Sequence, residues 1–187
     1  YTCAWPGQGF YLKKPVAPSA DRQGVKFRSY NTATATFAEE LGMIPVQVEA
    51  AELSQALATG VAEAFISSGS TGYDRKVWET LTHYYKVNAW HPRNYVMVNK
   101  GVWDGLSADM QASVQKAADE TGVACNAKSA SLADWYFEQL EANGMVVEDA
   151  APEFLAELQK IGAKMQSDWV AEAGADAQAI LDAYNAN

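Results

Sequence analysis

The stretch GVKFRSYN, residues 24–31, combines an alternating segment, a cation and a helix start. Val25 and Phe27 alternate with charged residues, which is the period-two pattern of a β-strand with one buried face. Asn31 then stands where a helix N-cap is expected, so the stretch predicts a strand that leads directly into a helix. In open α/β sheets, ligands bind beyond the carboxyl ends of strands, and Arg28, one of only four arginines, lies at such an end.

Position alone leaves two interpretations of Arg28 open. It is either a binding residue or a cation at a solvated strand end that pairs with a surface glutamate. The following segments alternate between strand and helix patterns at the spacing of an α/β fold. They predict a helix to about residue 41, a strand at 44–48, a helix at 51–57, a strand at 61–67 and a helix at about 73–81.

The first 23 residues predict a short strand followed by an irregular crossing made of surface loops. Proline and glycine chemistry breaks regular structure after Trp5, and a turn is predicted at residues 18–21. Trp5 and Gln8 are nevertheless candidate ligand contacts, because neighbouring glycines allow a ligand to approach closely. A chain that opens on a strand is also expected to be part of a longer one.

The second half predicts a crossing between two lobes and a long helix. Extended segments at 83–90 and 94–99 are separated by proline, which excludes one continuous central strand. Ser107 is the expected N-cap of a helix that runs to about residue 139. About 30 helical residues span about 45 Å, so this helix is expected to bridge both lobes. The apolar stripe that follows Pro152 is interpreted as core.

Composition narrows the function classes. The 187 residues are 49% hydrophobic, which is enough to build a buried core in one large domain or in two lobes. A net charge of -9 argues against nucleic acid or an anionic membrane as a partner. No apolar run approaches the about 20 residues of a membrane helix, and the first residues show no basic region followed by an apolar one. We therefore expect neither a membrane span nor a signal peptide within these residues. Cys3 and Cys125 lack metal-ligand spacing, and a disulfide and two buried thiols both remain open.

No catalytic constellation emerges from the residues. No serine lies in a nucleophile-elbow pattern, and the two histidines form no cluster with a metal-ligand spacing. The polar stretch 67–72 lacks the Gly-Lys-Ser/Thr ending of a phosphate loop. We therefore expect no catalytic residue, no metal and no cofactor. Three carboxylates, Glu49, Glu52 and Glu63, keep open the alternative of an enzyme that acts on a small organic acid.

Four motifs occur in a characteristic order. They are GVKFR at 24–28, LGMIPV at 41–46, ELSQALATGVAEA at 52–64 and NKGVWDGL at 99–106. As a set, these motifs resemble the solute-receptor subunits of tripartite ATP-independent periplasmic (TRAP) transporters of the DctP type. The resemblance covers roughly residues 14–144.

This resemblance implies an α/β, two-lobed periplasmic receptor with mixed sheets. Such a receptor closes on a small organic acid and delivers it to the TRAP permease subunits in the membrane. In the family, the arginine of the first motif forks onto the ligand carboxylate, and here that residue is Arg28. A planar guanidinium can donate two parallel hydrogen bonds to a carboxylate, which a lysine cannot do.

The resemblance also implies further ligand contacts. Beside Arg28 these are Gln8, Phe65, Ser67, Ser68, Trp90 and His91, and the local chemistry adds Tyr30 to the residues expected to line the pocket. Where many members read Asp-Gly-Gln-Glu-Asn, residues 63–67 here read EAFIS, which argues against a sugar acid and removes a metal ligand seen in some keto-acid receptors. The aromatic residues in this set, together with Trp5, favour an aromatic or branched carboxylate.

The family layout assigns the chain to two lobes. Residues 1–5 and 94–133 belong to lobe one, and residues 6–93 and 134–187 belong to lobe two. The family's receptors are longer, so the chain is expected to lack the N-terminal part of lobe one. Both cysteines then share lobe one of a periplasmic protein, which favours a Cys3–Cys125 disulfide.

Overall fold

A computed structural model describes residues 1–15 and 22–186. The turn predicted at 18–21 lies outside the described residues. The strands are β1 (Thr2–Ala4), β2 (Gln8–Leu12), β3 (Lys26–Ser29), β4 (Ile44–Gln47), β5 (Ala64–Ser67), β6 (His83–Trp90), β7 (Arg93–Tyr95) and β8 (Val146–Asp149). The helices are α1 (Thr32–Glu40), α2 (Leu53–Ala58), α3 (Gly69–Asp74), α4 (Lys100–Asp104), α5 (Ala108–Ala142), α6 (Pro152–Ala173) and α7 (Ala175–Asn185).

These strands form two separate sheets. A mixed sheet of six strands has the order β4-β3-β5-β2-β6-β8, and β1 pairs with β7 in an antiparallel ribbon. In the large sheet only β2 runs against its neighbours, because β3 is parallel to β4 and β5 while β6 is parallel to β8. The carboxyl ends of β3, β4, β5 and β6 therefore lie at one edge with the amino end of β2. We call this the carboxyl edge.

Hydrophobic residues cover both faces of the large sheet. On one face Phe10 and Phe27 pack with Phe37 of α1 and Phe154 of α6. The other face carries Tyr11 and residues of α2 and α5. Paired residues of neighbouring strands share a face. One row of this second face therefore runs across the sheet through Val46, Arg28, Phe65, Tyr11, Tyr84 and Val147. Arg28 is the only charged residue of that row.

The structure confirms the predicted α/β fold with mixed sheets and a long helix. Asn31 caps α1: its side chain accepts a hydrogen bond from the backbone N–H of Thr34, and the Thr34 hydroxyl in turn accepts from the N–H of Asn31. Ser107 caps α5, whose 35 residues make it the longest element among the described residues. The strand and helix around Arg28 thus form as predicted.

The prediction of an irregular crossing up to residue 23 is wrong at residues 8–12. These residues form β2, which lies between β5 and β6 and is buried at all five positions. A strand that is buried on both faces shows no polar alternation, and its glycines imitate a loop in the sequence. Gly9 is required there, because a Cβ at this position would collide with the Tyr84 ring.

Two further predictions need correction, and one strand was not predicted. The helix expected at 73–81 instead begins at Gly69 as α3, and a 3-10 turn at Val77–Glu79 follows it. Strand β8 was not predicted, because its pattern is short and mostly exposed. In α6 the apolar stripe is buried at Phe154 but not at Trp169, which is 42% exposed.

A disulfide links Cys3 of β1 to Cys125 of α5, as the family resemblance implied. Hydrogen bonds support the same junction. Asn126 Oδ1 accepts from the N–H of Ala4 at 2.9 Å, and the Ser129 hydroxyl donates to the Ala4 carbonyl at 2.7 Å. The ribbon of β1 and β7 is thereby fixed to the long helix.

Among the described helices, none combines the length and the hydrophobicity that crossing a bilayer requires.

Candidate ligand-binding site

Arg28 lies near the end of β3 at the carboxyl edge and is only 4% exposed. Its Nε donates to the Val48 carbonyl at 2.8 Å, and its guanidinium carbon lies 4.9 Å from the centre of the Tyr30 ring. These contacts hold the guanidinium plane in one orientation. Within residues 1–15 and 22–186, Nη1 and Nη2 donate to no protein acceptor and form no ion pair. The interpretation of Arg28 as a cation at a solvated strand end, paired with a surface glutamate, is therefore wrong.

Burial makes the Arg28 cation electrostatically unusual. It lowers the pKa of the guanidinium, while the nearby Tyr30 and Glu49 act in the opposite direction. An arginine stays charged under physiological conditions even when it is buried. A desolvated cation that lacks an ion pair is stabilised by any anion that reaches it. The outer nitrogens of Arg28 are thus free to donate to an anion at the carboxyl edge.

Tyr30 and Gln8 extend this site along the edge. The Tyr30 hydroxyl donates to Gln8 Oε1 at 3.0 Å, and Gln8, at the start of β2, is 5% exposed. Burial raises the pKa of Tyr30, although the hydrogen bond with Gln8 and the charge of Arg28 oppose this shift. The phenol is therefore neutral at physiological pH. Three predicted site residues, Arg28, Tyr30 and Gln8, form one chain of contacts.

Ser67 and Ser68 follow at the carboxyl end of β5. The Ser67 hydroxyl donates to Thr71 Oγ1 at 2.9 Å, and the hydroxyls of Ser68 and Ser70 lie 2.8 Å apart. Ser68 is completely buried, and its carbonyl accepts from the Tyr11 hydroxyl at 2.9 Å. This part of the edge is therefore polar but uncharged.

The remaining predicted contacts are more dispersed. Phe65 is 0% exposed and stacks on Tyr11 with ring centres 4.4 Å apart, so its ring belongs to the core. Trp90 pairs with Gln8 in the sheet, but its ring packs against Phe37 and lines a cavity of about 300 Å³ between β6 and α6. His91 is exposed just beyond this strand.

Trp5 is 38% exposed, and its indole N–H donates to Asn94 Oδ1 at 3.0 Å. It lines a second cavity, of about 400 Å³, beside the disulfide. Trp5 therefore joins the ribbon of β1 and β7 rather than the chain of contacts around Arg28.

Several contributors to the site were not predicted. They are the Val48 carbonyl that orients Arg28, the nearby charge of Glu49, and the hydroxyls of Ser70 and Thr71. The polar composition of residues 67–72 could have indicated the hydroxyls of Ser70 and Thr71. In contrast, no sequence feature identifies a backbone carbonyl as a hydrogen-bond partner. In the part of the chain that the structure describes, no group of three or more His, Cys, Asp or Glu could hold a metal ion.

A family model matches residues 8–172, and its description is DctP, bacterial extracellular solute-binding protein, family 7. The chain belongs to this family. A curated relative, the C4-dicarboxylate-binding periplasmic protein DctP of Rhodobacter capsulatus, is 35% identical over 81 residues, which are 43% of this chain and 24% of that protein.

Solved structures of the family resemble the whole chain. A TRAP solute-binding protein from a marine metagenome, described as specific for pyroglutamate, is 76% identical over 100% of this chain, with a TM-score of 0.97. Two extracytoplasmic solute receptors of Bordetella pertussis, described as binding pyroglutamic acid, are 38% and 40% identical over 99% and 100% of this chain, with TM-scores of 0.96 and 0.97. The chain spans 62% of the length of each of these three proteins.

Proposed function

We propose that this chain is the larger part of a periplasmic receptor that binds pyroglutamate for a TRAP transporter. The observation that carries the proposal is the buried Arg28 guanidinium, whose Nε is held by the Val48 carbonyl while its outer nitrogens donate to no described protein atom. This arrangement suits a carboxylate, which accepts two parallel bonds from Nη1 and Nη2. The pyroglutamate bound by three relatives, at 76%, 38% and 40% identity, supports the choice of ligand.

The charges at the carboxyl edge favour a monocarboxylate over a dicarboxylate. Arg28 is the only cation in its chain of contacts with Tyr30 and Gln8, and these two are neutral hydrogen-bonding groups. Ser67, at the end of the adjacent strand β5, is neutral as well, and the nearby Glu49 is negative. A second ligand carboxylate would lose its water without gaining a cation. Pyroglutamate instead carries one carboxylate and a neutral ring amide, which matches one cation beside uncharged polar groups.

The burial of Phe65 changes the expected shape of the ligand. An aromatic or branched acid was expected because several aromatic side chains were placed around the pocket. Phe65 is sealed in the core and the Trp90 ring packs on Phe37, so two of those rings are engaged elsewhere. A compact five-membered ring fits the remaining surface of Tyr30 better than a large aromatic ligand.

A second lobe completes the proposed receptor. Residues 1–5 and 94–133 are assigned to lobe one, and residues 6–93 and 134–187 to lobe two. The assigned lobe-one residues expose apolar side chains, with Met97 83% and Val98 51% exposed, beside a cavity of about 330 Å³ that is also lined by Trp103. A two-stranded ribbon is barely stable alone. Further polypeptide, as in the longer relatives, would cover this surface and form the second wall of the cleft.

The proposal is tested by calorimetry on the receptor expressed from its complete coding sequence. We expect stoichiometric binding of L-pyroglutamate, weaker binding of succinate and of sialic acid, and no chemical change in the recovered ligand. Binding of succinate or sialic acid in preference to pyroglutamate would overturn the ligand assignment. A new product in the recovered ligand would instead indicate the alternative of an enzyme acting on a small organic acid.

A further inference from the structure

We infer that Tyr30 is a positioning residue that fixes the Gln8 side-chain amide with its N–H groups toward the cleft, and so selects ligands that carry a carbonyl on the ring. This inference rests on the proposed function. It adds to that function the residue that sets ligand specificity and the chemical group that is recognised. Arg28 recognises the carboxylate, and the Tyr30–Gln8 pair recognises the rest of the ligand.

In the hydrogen bond between Tyr30 and Gln8, the phenol is the donor. The guanidinium of Arg28 lies 4.9 Å from the centre of the Tyr30 ring. A nearby cation draws electron density from a phenol and makes its hydroxyl a stronger donor and a weaker acceptor. The Tyr30 hydroxyl accordingly donates to Gln8 Oε1, at 3.0 Å, instead of accepting from Nε2.

The Gln8 amide carries its two N–H groups on Nε2, opposite the oxygen that Tyr30 binds. Since Oε1 faces Tyr30, the two N–H groups on Nε2 point away from it. Gln8 is only 5% exposed. Its Nε2 has no hydrogen-bond partner among the described residues, but this atom is not sealed from solvent. The N–H groups of Nε2 are therefore open to solvent on the side of the amide away from Tyr30. They form an oriented donor pair that has no acceptor among the described residues.

The acceptor for these donors belongs to the ligand. Gln8 begins β2 and Arg28 lies near the end of β3, with β5 between the two strands and Tyr30 in contact with both residues. A ligand whose carboxylate lies on Arg28 therefore presents the far side of a small ring to Gln8. A carbonyl at that position accepts from Nε2, whereas a ring methylene leaves the amide without a partner. A site with unpaired buried donors rejects a ligand that cannot satisfy them.

The test compares three ring acids of similar size. L-Pyroglutamate carries the carbonyl and the ring N–H, 5-oxotetrahydrofuran-2-carboxylate keeps the carbonyl but lacks the N–H, and cyclopentanecarboxylate lacks both. Affinities are measured by calorimetry for the wild-type receptor and for Tyr30→Phe, which keeps the ring beneath Arg28. Gln8→Met removes the amide at nearly constant volume. Tyr184→Phe, at a position that is 77% exposed on α7, is the matched control.

We expect the wild-type receptor and Tyr184→Phe to bind both carbonyl-bearing acids at least about tenfold more tightly than cyclopentanecarboxylate, since one hydrogen bond is worth about a factor of ten. Tyr30→Phe should reduce this ratio severalfold while leaving the affinity for cyclopentanecarboxylate nearly unchanged. Gln8→Met should abolish the preference.

An unchanged ratio in a folded Tyr30→Phe receptor would overturn the role of Tyr30. Equal binding of all three acids by the wild type would overturn recognition of the carbonyl. A wild-type receptor that binds none of the three acids would instead refute the proposed function, so the two failures are distinguishable. Thermal melting of each variant shows whether it is folded and keeps the comparison valid.

Discussion

Replacing Arg28 by lysine keeps the positive charge but removes the planar fork that two carboxylate oxygens require. In the structure, Nε is already committed to the Val48 carbonyl, so Nη1 and Nη2 are the nitrogens available to a ligand. A lysine ammonium can replace one of these two bonds without the Val48 contact that orients the side chain. Each charge-assisted hydrogen bond contributes about 1.5–3 kcal/mol, so Arg28→Lys should weaken binding of pyroglutamate by about 10- to 150-fold.

Calorimetric titration of the complete receptor with L-pyroglutamate measures this effect. Arg75→Lys, at an exposed position just after α3, is the matched control and should bind like the wild type. A second titration with 2-pyrrolidinone, which keeps the ring amide but lacks the carboxylate, tests the cause. The reasoning fails if Arg28→Lys binds pyroglutamate as tightly as the wild type, or if it weakens both ligands equally.

Three further predictions concern stability. The double variant Cys3→Ser/Cys125→Ser removes a crosslink between residues that are 122 positions apart. It should lower the free energy of unfolding, measured by urea titration, by about 2–5 kcal/mol. Equal stability of the wild type with and without reductant would contradict this prediction. Phe65→Ala empties a fully buried, stacked position and should cost about 3–5 kcal/mol in the same assay; a loss below about 1 kcal/mol would mean that the ring is not core. Burial raises the pKa of both Tyr11 and Tyr84, so above about pH 10 the unfolded chain releases protons that the folded chain retains, and melting temperatures should fall as pH rises. Tyr84→Phe should flatten this decline, and an unchanged pH profile would contradict the assignment.

The sequence predicts those elements whose pattern reflects a single buried face. Strand β3 alternates and is followed by a capping residue, so both it and α1 appear where expected. The long α5 is equally clear, because Ser107 caps it and 35 residues of helix-forming composition follow. Fold class therefore follows from the sequence, since these local signals agree with the final topology.

Strand β2 was missed for a physical reason. It occupies the interior of the sheet and is buried on both faces, which removes the alternation that reveals a strand. Helix α3 was misplaced because its six residues begin with glycine and serine, which have low helix propensity. Tertiary packing, which a single sequence does not display, decides both cases.

The candidate site was partly predictable. The strand end and the family resemblance both indicate Arg28, and the glycines beside Gln8 marked it as a candidate contact. Neither signal shows that Tyr30 connects the two, because a hydrogen bond between residues 22 positions apart depends on the pairing of the strands. The same limit explains the wrong prediction for Phe65. Its strand was predicted, but the sequence does not show that its side chain faces the core.

A crystal structure of the complete receptor with L-pyroglutamate tests the central claim most directly. The account predicts that the two carboxylate oxygens of the ligand each accept a hydrogen bond of about 2.8 Å from Nη1 and Nη2 of Arg28. The bond from Nε to the Val48 carbonyl should remain in place. A ligand carboxylate bound away from Arg28, with the guanidinium making no contact to it, would contradict the account.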